Sequence, residues 1–364
     1  MGTILPVTLI DKSSSLLDLP IILAGTGGAA WWVLEGFARE KISVSAFIVS
    51  NIKYESEETC VGLPVWKANS WNSLPIRQDK YLVVVSVMNP NVDIEKMKNE
   101  LIEKGWRNTI DFTEYARLLL KEKAINICML ETKELQTHRS EITSLRNNLS
   151  DEKSKLTLDG FCSYVQSLNG EEFPKISKLP YFPNDVPRWD TNLKILDCGA
   201  YDGDTIRQAA ECGYEIEQSF CFEPDFNSFN KLKNNLKDYK KVICLPIGVS
   251  DVTAVKSFDS HFSTGSKIVE KGNSFVQCIS LDDFMSDYRP NLIKMDIEGG
   301  ELSALKGAQR MIREYRPNLA ISVYHKSNDI WQIPNLIFDL LGSCKLYLRK
   351  HSRTIADTVL YVFP

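Results

Sequence analysis

The 364-residue sequence has no apolar run long enough for a bilayer, no closely paired cysteines and no large excess of either charge. Its longest strongly apolar run, Leu82 to Met88, falls far short of the roughly 20 residues a membrane-spanning helix needs. The first twenty residues carry Asp11, Lys12, Asp18 and a serine run instead of the basic start and apolar stretch of a secretory signal. Nine cysteines are an odd count, they are scattered, and none forms a C-x-x-C pair, which argues against both a disulfide framework and a zinc knuckle. A formal net charge of -4 supplies no polyelectrolyte attraction to nucleic acid or to an anionic membrane. These absences lead to the expectation of a cytoplasmic protein with no membrane span and no nucleic-acid partner.

What is present is ordinary globular composition, on a chain long enough for more than one domain. Ile21 to Ala24, Ser45 to Val49 and Tyr81 to Val87 read as buried strands, separated by helical patterns at Trp31 to Glu40 and Asp93 to Lys104. Residues 1–112 are therefore expected to form a small doubly wound α/β domain. Residues 113–172 contain no proline and read as a helical connector. Leu135, Ile142, Leu149 and Leu156 recur every seven residues there, with Leu145 beside them. A helix packed on its own chain and a homodimer seam both fit that spacing, although His138 and Glu152 occupy other core sites of a coiled coil. Pro174, Pro180, Pro183 and Pro187 then open residues 173–364. Six strand-like runs follow, at Leu193 to Cys198, Ser219 to Phe222, Val242 to Ile247, Phe275 to Ile279, Leu292 to Ile297 and Leu319 to Tyr324, implying a second, mostly parallel sheet.

The chemistry begins where the first of these runs enters a glycine turn, Asp197-Cys198-Gly199-Ala200-Tyr201-Asp202-Gly203-Asp204-Thr205, with Asp204 and Thr205 expected to cap the next helix. Glycines let the backbone approach a ligand closely, while the three acids of this loop disfavour phosphate and favour a cation. Asp197 or Asp202 could accept hydrogen bonds from an ammonium group. Twenty residues after Gly203, Glu223 in Phe222-Glu223-Pro224 sits at a strand end, where an acid can take both hydroxyls of a ribose. Asp296 ends a later strand in Ile293-Lys294-Met295-Asp296-Ile297-Glu298-Gly299-Gly300-Glu301, and the helix dipole accounts adequately for Glu301.

In this order, and with Leu281-Asp282-Asp283 between them and Leu305-Lys306-Gly307-Ala308 after them, these motifs resemble those of the FkbM family of methyltransferases, from Leu193 to Tyr361. The resemblance implies an α/β fold of the class I methyltransferase type, a mostly parallel seven-stranded sheet with one reversed strand. It also implies S-adenosylmethionine as cofactor and a hydroxyl group as methyl acceptor. By the same resemblance Gly199, Ala200, Tyr201 and Asp202 line the methionine end, Glu223 holds the ribose, Gly248, Val249, Ser250 and Asp251 lie beside the adenine, and Asp296 faces the sulfonium and the acceptor. Tyr201 and Gly248 stand where the family often has Asn and Ala.

An alcohol is a poor nucleophile at neutral pH, so a base is needed, and Asp296, Glu298 and His325 are the candidates. Mg²⁺ bridging Asp296 and Glu298 is a further expectation, because residues two apart on an extended strand share a face. The first domain has its own glycine turn, in which Gly25, Gly27 and Gly28 precede a helix and fit a phosphate site. The following strand ends without an acid for an NAD ribose, and Val61-Gly62-Leu63-Pro64-Val65 resembles the nucleotide-sugar-binding domain of bacterial sugar acyltransferases. Two functions stay open: an O-methyltransferase acting on a sugar or glycan precursor, free or nucleotide-linked, or a non-catalytic nucleotide-binding scaffold with a degenerate pocket. Neither the acceptor nor the oligomeric state is specified by the sequence.

Overall fold

The computed structural model describes residues 16–26, 28–39, 41–49, 59–60, 62–67, 76–87, 92–123, 132–167, 173–259, 267–272, 274–284, 287–326, 328–352 and 355–364. The chain divides into two compact units, Met1–Cys128 and Met129–Pro364.

In the first unit, β1 (Ile21–Ala24), α1 (Gly28–Arg39), β2 (Val44–Val49), β3 (Thr59–Cys60), β4 (Leu63–Lys67), β5 (Leu82–Val85), α2 (Ile94–Glu103), β6 (Thr109–Asp111) and α3 (Phe112–Lys123) build one sheet, ordered β3-β4-β2-β1-β5-β6. All its pairs are parallel except the β3–β4 hairpin. Val33 and Phe37 of α1 pack with Tyr115 and Leu119 of α3 on one face, while Leu101 of α2 and Trp106 pack against Ile22, Ala24 and Ile48 on the other. Helices on both faces explain why β1 and β5 are continuous apolar runs rather than alternating ones. The glycine turn starts with Gly25 at φ +108°, and α1 begins at Gly28; Gly27 lies outside the described residues.

The second unit opens with α4 (Thr132–Thr137), α5 (Arg139–Asn148) and α6 (Glu152–Ser167). The boundary between the units thus falls inside the segment read as a connector, with α3 in the first unit and α4 to α6 in the second. The heptad positions do not form one seam. The helix breaks at His138 and again after Asn148; Leu135, Leu145 and Leu149 are buried within the unit, and Leu156 is exposed. The packing is intramolecular: the His138 ring stacks on Trp331, and Ser150 N donates to Leu346 O.

The unit's main sheet uses β7 (Asn192–Cys198), β8 (Glu215–Phe222), β9 (Val242–Leu245), β14 (Leu292–Met295), β15 (Asn318–Ser322), β16 (Lys345–Lys350) and β17 (Thr358–Phe363). Its order is β16-β17-β15-β14-β7-β8-β9, and β17 alone runs against both its neighbours. This is the seven-stranded sheet with one reversed strand that the motifs imply. Helices α7 (Asp204–Glu211), α8 (Phe226–Asn235), α9 (Glu301–Lys306), α10 (Gln309–Tyr315) and α11 (Asp329–Leu341) accompany it. β9 stops at Leu245 because Pro246 has no N–H for the ladder. The run at Phe275 to Ile279 does not join this sheet: as β13 (Ser274–Ile279) it pairs with β10 (Gly248–Val249) and β11 (Ala254–Asp259), and β12 (Lys267–Ile268) completes a separate four-stranded sheet.

Two of the motifs prove to be framework. Asp282 accepts from the N–H groups of Arg310 and Met311 at 2.9 and 2.8 Å, capping α10. Gly307 lies so close to the turn after β10 that a Cβ there would stand 2.2 Å from Ser250 O.

Candidate active site

The carboxyl ends of β7, β8 and β14 meet around a cavity of about 220 Å³, where ligands bind in open α/β sheets. Gly199 leaves β7 at φ +77°, and a Cβ on it would stand 1.8 Å from Asp296 O; only glycine lets the two strand ends close up. Tyr201, at φ 45°, turns the chain back, and Gly203, at φ 85°, is the actual N-cap of α7 in place of Asp204. Asp204 Oδ1 instead accepts from Thr205 N, and Asp204 borders the cavity.

Glu223 lies at the end of β8, buried. Its Oε2 accepts from Tyr201 N at 2.9 Å and its Oε1 from Asp225 N at 2.8 Å, so it ties the β7 loop to the start of α8. Each oxygen keeps a second lone pair for a ligand. Burial raises its pKa to about 7, against the pull of the two N–H groups. Beside it, Pro224, Gly248, Val249, Phe258 and Ile268 form an apolar wall, and a Cβ on Gly248 would stand 3.1 Å from Cys278 Sγ.

At the other wall stands Asp296, just past β14. Tyr181 O–H donates to its Oδ2 at 2.7 Å, and His325 Nε2 approaches its Oδ1 at 3.5 Å. Burial disfavours the charge, but His325, Lys294 and Tyr181 outweigh that and hold Asp296 below its ordinary value, as a carboxylate. Tyr181 takes φ 70°, an uncommon conformation for a bulky residue, and is held there by Trp189 Nε1 donating to its carbonyl at 2.7 Å. Beneath the floor, Lys294 Nζ lies 3.1 Å from Asp197 Oδ1 and donates to Gly199 O. Asp197 is thus fully buried and serves the framework; it is not offered to a ligand.

His325 follows β15, whose register sets Ile321 beside Met295 and so brings residues 325 and 296 to neighbouring strand ends. Its Nδ1 is 2.9 Å from Glu301 Oε1, and its Nε2 is 3.6 Å from Glu298 Oε2. Burial opposes the imidazolium, but Glu301, Glu298 and Asp296 prevail and raise its pKa to about 10. A ring already protonated at neutral pH takes no proton from an acceptor, which leaves Asp296 and Glu298 as the candidate bases that line the cavity. Glu298 is not on a strand: at φ 55° it belongs to the turn before α9, so the shared-face argument for pairing it with Asp296 fails, yet both reach His325.

Of the residues expected at the site, Gly199, Tyr201, Glu223, Gly248, Val249, Asp296 and Glu298 line the cavity. Ala200, Asp202 and Ser250 do not. Ala200 is fully buried under the loop. Asp202 pairs with Arg207 at 2.9 Å, and Ser250 Oγ bonds Asp251 and Lys256. Tyr181, Asp204 and Lys294 are additions, and only Asp204 and Lys294 lay within the motifs.

Residues 197–351 match the family model of the methyltransferase FkbM domain. The second unit belongs to the FkbM methyltransferase family. The chain is also similar to the hexuronic acid methyltransferase AglP of Haloferax volcanii, 30% identical over 134 residues, which is 35% of this chain and 54% of that protein. The chain thus spans about half the length of this curated relative. A crystal structure of a methyltransferase FkbM from Methylobacillus flagellatus KT shares the fold, with a TM-score of 0.66 at 23% identity over 95% of this chain and 90% of that one. The site in this unit is built on main-chain geometry shared by β7, β8 and β14. No helix among the described residues is long and apolar enough to cross a membrane.

Proposed function

We propose that the protein is an S-adenosylmethionine-dependent O-methyltransferase whose acceptor is a hydroxyl of a sugar or glycan precursor, a hexuronic acid being the first to test. The observation that carries this reading is one cavity with Glu223 and Asp296 on its walls, floored by a glycine that no other residue can replace. The residues fit the cofactor. Glu223 has lone pairs for two ribose hydroxyls, the apolar wall at Gly248 and Val249 suits a flat base, and Asp204 and Asp296 suit positive charge. When bound, S-adenosylmethionine supplies a methyl group on a cationic sulfur; the chain supplies alignment and proton transfer. Asp296 holds the acceptor O–H and receives its proton, while the Tyr181 hydroxyl anchors Oδ2 and fixes the plane of the carboxylate. Hexuronic acid is the acceptor of the relative AglP, and it motivates the choice of sugar here.

Mass spectrometry of uronic-acid glycosides and their nucleotide-linked forms, incubated with protein and S-adenosylmethionine, tests this directly. Gain of one methyl group on a hydroxyl oxygen is expected; methylation at carboxylate or nitrogen alone refutes the O-methyl assignment. Absence of transfer to every sugar, with cofactor still bound, favours the scaffold reading.

Glu223→Ala should weaken cofactor binding by at least ~1.5–3 kcal/mol, the range for hydrogen bonds to a charged group. Because burial holds this carboxyl near pH 7 and the ligand hydroxyls need its ionised form, wild-type affinity should rise with pH through about 7. The Ala variant should lack that step. Calorimetry at pH values on either side of 7 reads both effects.

For the first unit the reading remains a nucleotide or nucleotide-sugar domain, supported by the left-handed Gly25 directly after β1 and by α1 starting at Gly28. Titration with UDP-sugars and NAD separates the two ligand classes.

A further inference from the structure

Cys221 of β8 and Cys244 of β9 each precede the last residue of their strand, and they are register partners on neighbouring parallel strands. Both side chains therefore leave the sheet on one face. Cys221 is wholly buried in the core on that face, and Cys244 packs against the same core from a partly exposed position on the outermost strand. Both thiols are free.

The pair is unequal in the way an oxidation site requires. Contact with Cys244, burial and the Asp197 carboxylate all push the Cys221 thiol up, and Ser219 Oγ at 3.7 Å opposes them only in part. The Cys221 S–H in turn holds Cys244 below the usual thiol range, against a smaller effect of burial. The accessible sulfur is thus the better nucleophile, with an enclosed thiol beside it as its resolving partner.

Strands in a sheet lie about 4.8 Å apart, within the Cα separation that a disulfide spans, but a disulfide wants its Cβ atoms only about 3.8 Å apart. Bridging therefore draws the ends of β8 and β9 together by roughly 1 Å. The next rung of the ladder is the bond from Glu223 N to Leu245 O at 3.1 Å, and Phe222 O accepts from Gly199 N and Ala200 N at 3.0 Å. A shift at the two sulfurs thus reaches both the Glu223 carboxylate and the β7 loop that it holds.

We propose that Cys221 and Cys244 form a thiol-oxidation site whose disulfide weakens cofactor binding at Glu223, with a peroxide as the oxidant. The Cys244 thiolate attacks one peroxide oxygen, the O–O bond breaks and hydroxide leaves, which gives a sulfenic acid. The Cys221 sulfur then attacks the Cys244 sulfur, the S–O bond breaks and water leaves. Across both steps the two thiols give up two electrons and two protons, and one hydrogen peroxide becomes two waters. A bridge between in-register neighbours is strained, so a small thiol reduces it and the change is reversible. The coupling to the cavity rests on the reading of Glu223 as a cofactor ligand; the bridge itself does not.

Reduced full-length protein, freed of reductant, is treated with hydrogen peroxide, and its disulfides are mapped by peptide mass spectrometry. A Cys221–Cys244 bridge is expected. Calorimetry should show affinity for S-adenosylhomocysteine lowered ~10–100-fold, equivalent to one hydrogen bond to a charged group, and restored by dithiothreitol. Cys244→Ser should bind like the wild type before treatment and keep that affinity after it, with thermal denaturation confirming its fold. Peroxide that leaves both thiols free, or joins either to another cysteine, overturns the site. A mapped Cys221–Cys244 bridge with unchanged affinity overturns its coupling to the cavity. Reduced protein that binds no S-adenosylhomocysteine refutes the cofactor reading instead, and mapping alone then decides the bridge.

Discussion

Gly199→Ala should lower methyl transfer by ~10²-fold or more and sharply weaken cofactor binding, with a single methyl group added. The new Cβ would stand 1.8 Å from Asp296 O and 2.8 Å from its carbonyl carbon, and neither backbone atom can yield without parting β7 from β14. That movement also breaks the bond from Lys294 Nζ to Gly199 O and shifts Tyr201 N away from Glu223. The φ of +77° adds its own cost. Gly213, at φ +80° with open space where a methyl group would stand, is the control for that cost alone. Gly213→Ala should lose only ~1–2 kcal/mol of stability and leave transfer unchanged. Equal behaviour of the two variants in a transfer assay would mean that the close approach at Asp296 has no bearing on the site.

Asp296→Asn should reduce kcat by ~10²- to 10⁴-fold, the range for a lost general base, while cofactor affinity stays within a few-fold of wild type. The amide keeps the shape and can still accept from Tyr181, but it takes no proton. Tyr181→Phe should cost less, since the carboxylate survives and loses only its 2.7 Å anchor. Single-turnover kinetics on preformed cofactor complexes separate these effects from binding. A wild-type rate in Asp296→Asn would send the search for the base elsewhere.

Much of this site was legible because it depends on backbone conformation close in sequence. Gly199 and Gly203 require the positive φ that glycine provides, and the strand-end acids Glu223 and Asp296 lie where the sheet order places ligands. The facing of each acid was not legible. Whether Asp202 or Asp204 meets the cavity depends on the left-handed turn at Tyr201, and the family's usual Asn does not stand there. His325 could be located but its charge could not, because the three carboxylates that set it come from the turn after β14 and from α9. Tyr181 is 115 residues from Asp296 in the chain and belongs to a proline-rich stretch that reads as a boundary. Strand β16 was hidden by composition: Arg349 and Lys350 are charged yet buried, a pattern that alternation does not flag. Its neighbour β17, an unbroken apolar run, was readable but lacked an evident partner.

The guanidinium of Arg349 has a consequence for dissecting the molecule. Almost wholly enclosed, it is neutralised by Asp151 at 2.6 Å and Asp185 at 3.0 Å, with Ser154 Oγ at 2.8 Å. Asp151 and Ser154 belong to the helical stretch before the prolines, so a fragment cut at residue 173 would retain the cation and lose half of its counter-charge. Breaking such an ion pair from one side costs ~3–5 kcal/mol, a large share of a domain's whole stability. The smallest autonomous catalytic piece therefore starts ahead of Thr132, and a protease that nicks between α6 and β7 should leave two peptides that stay together until denatured.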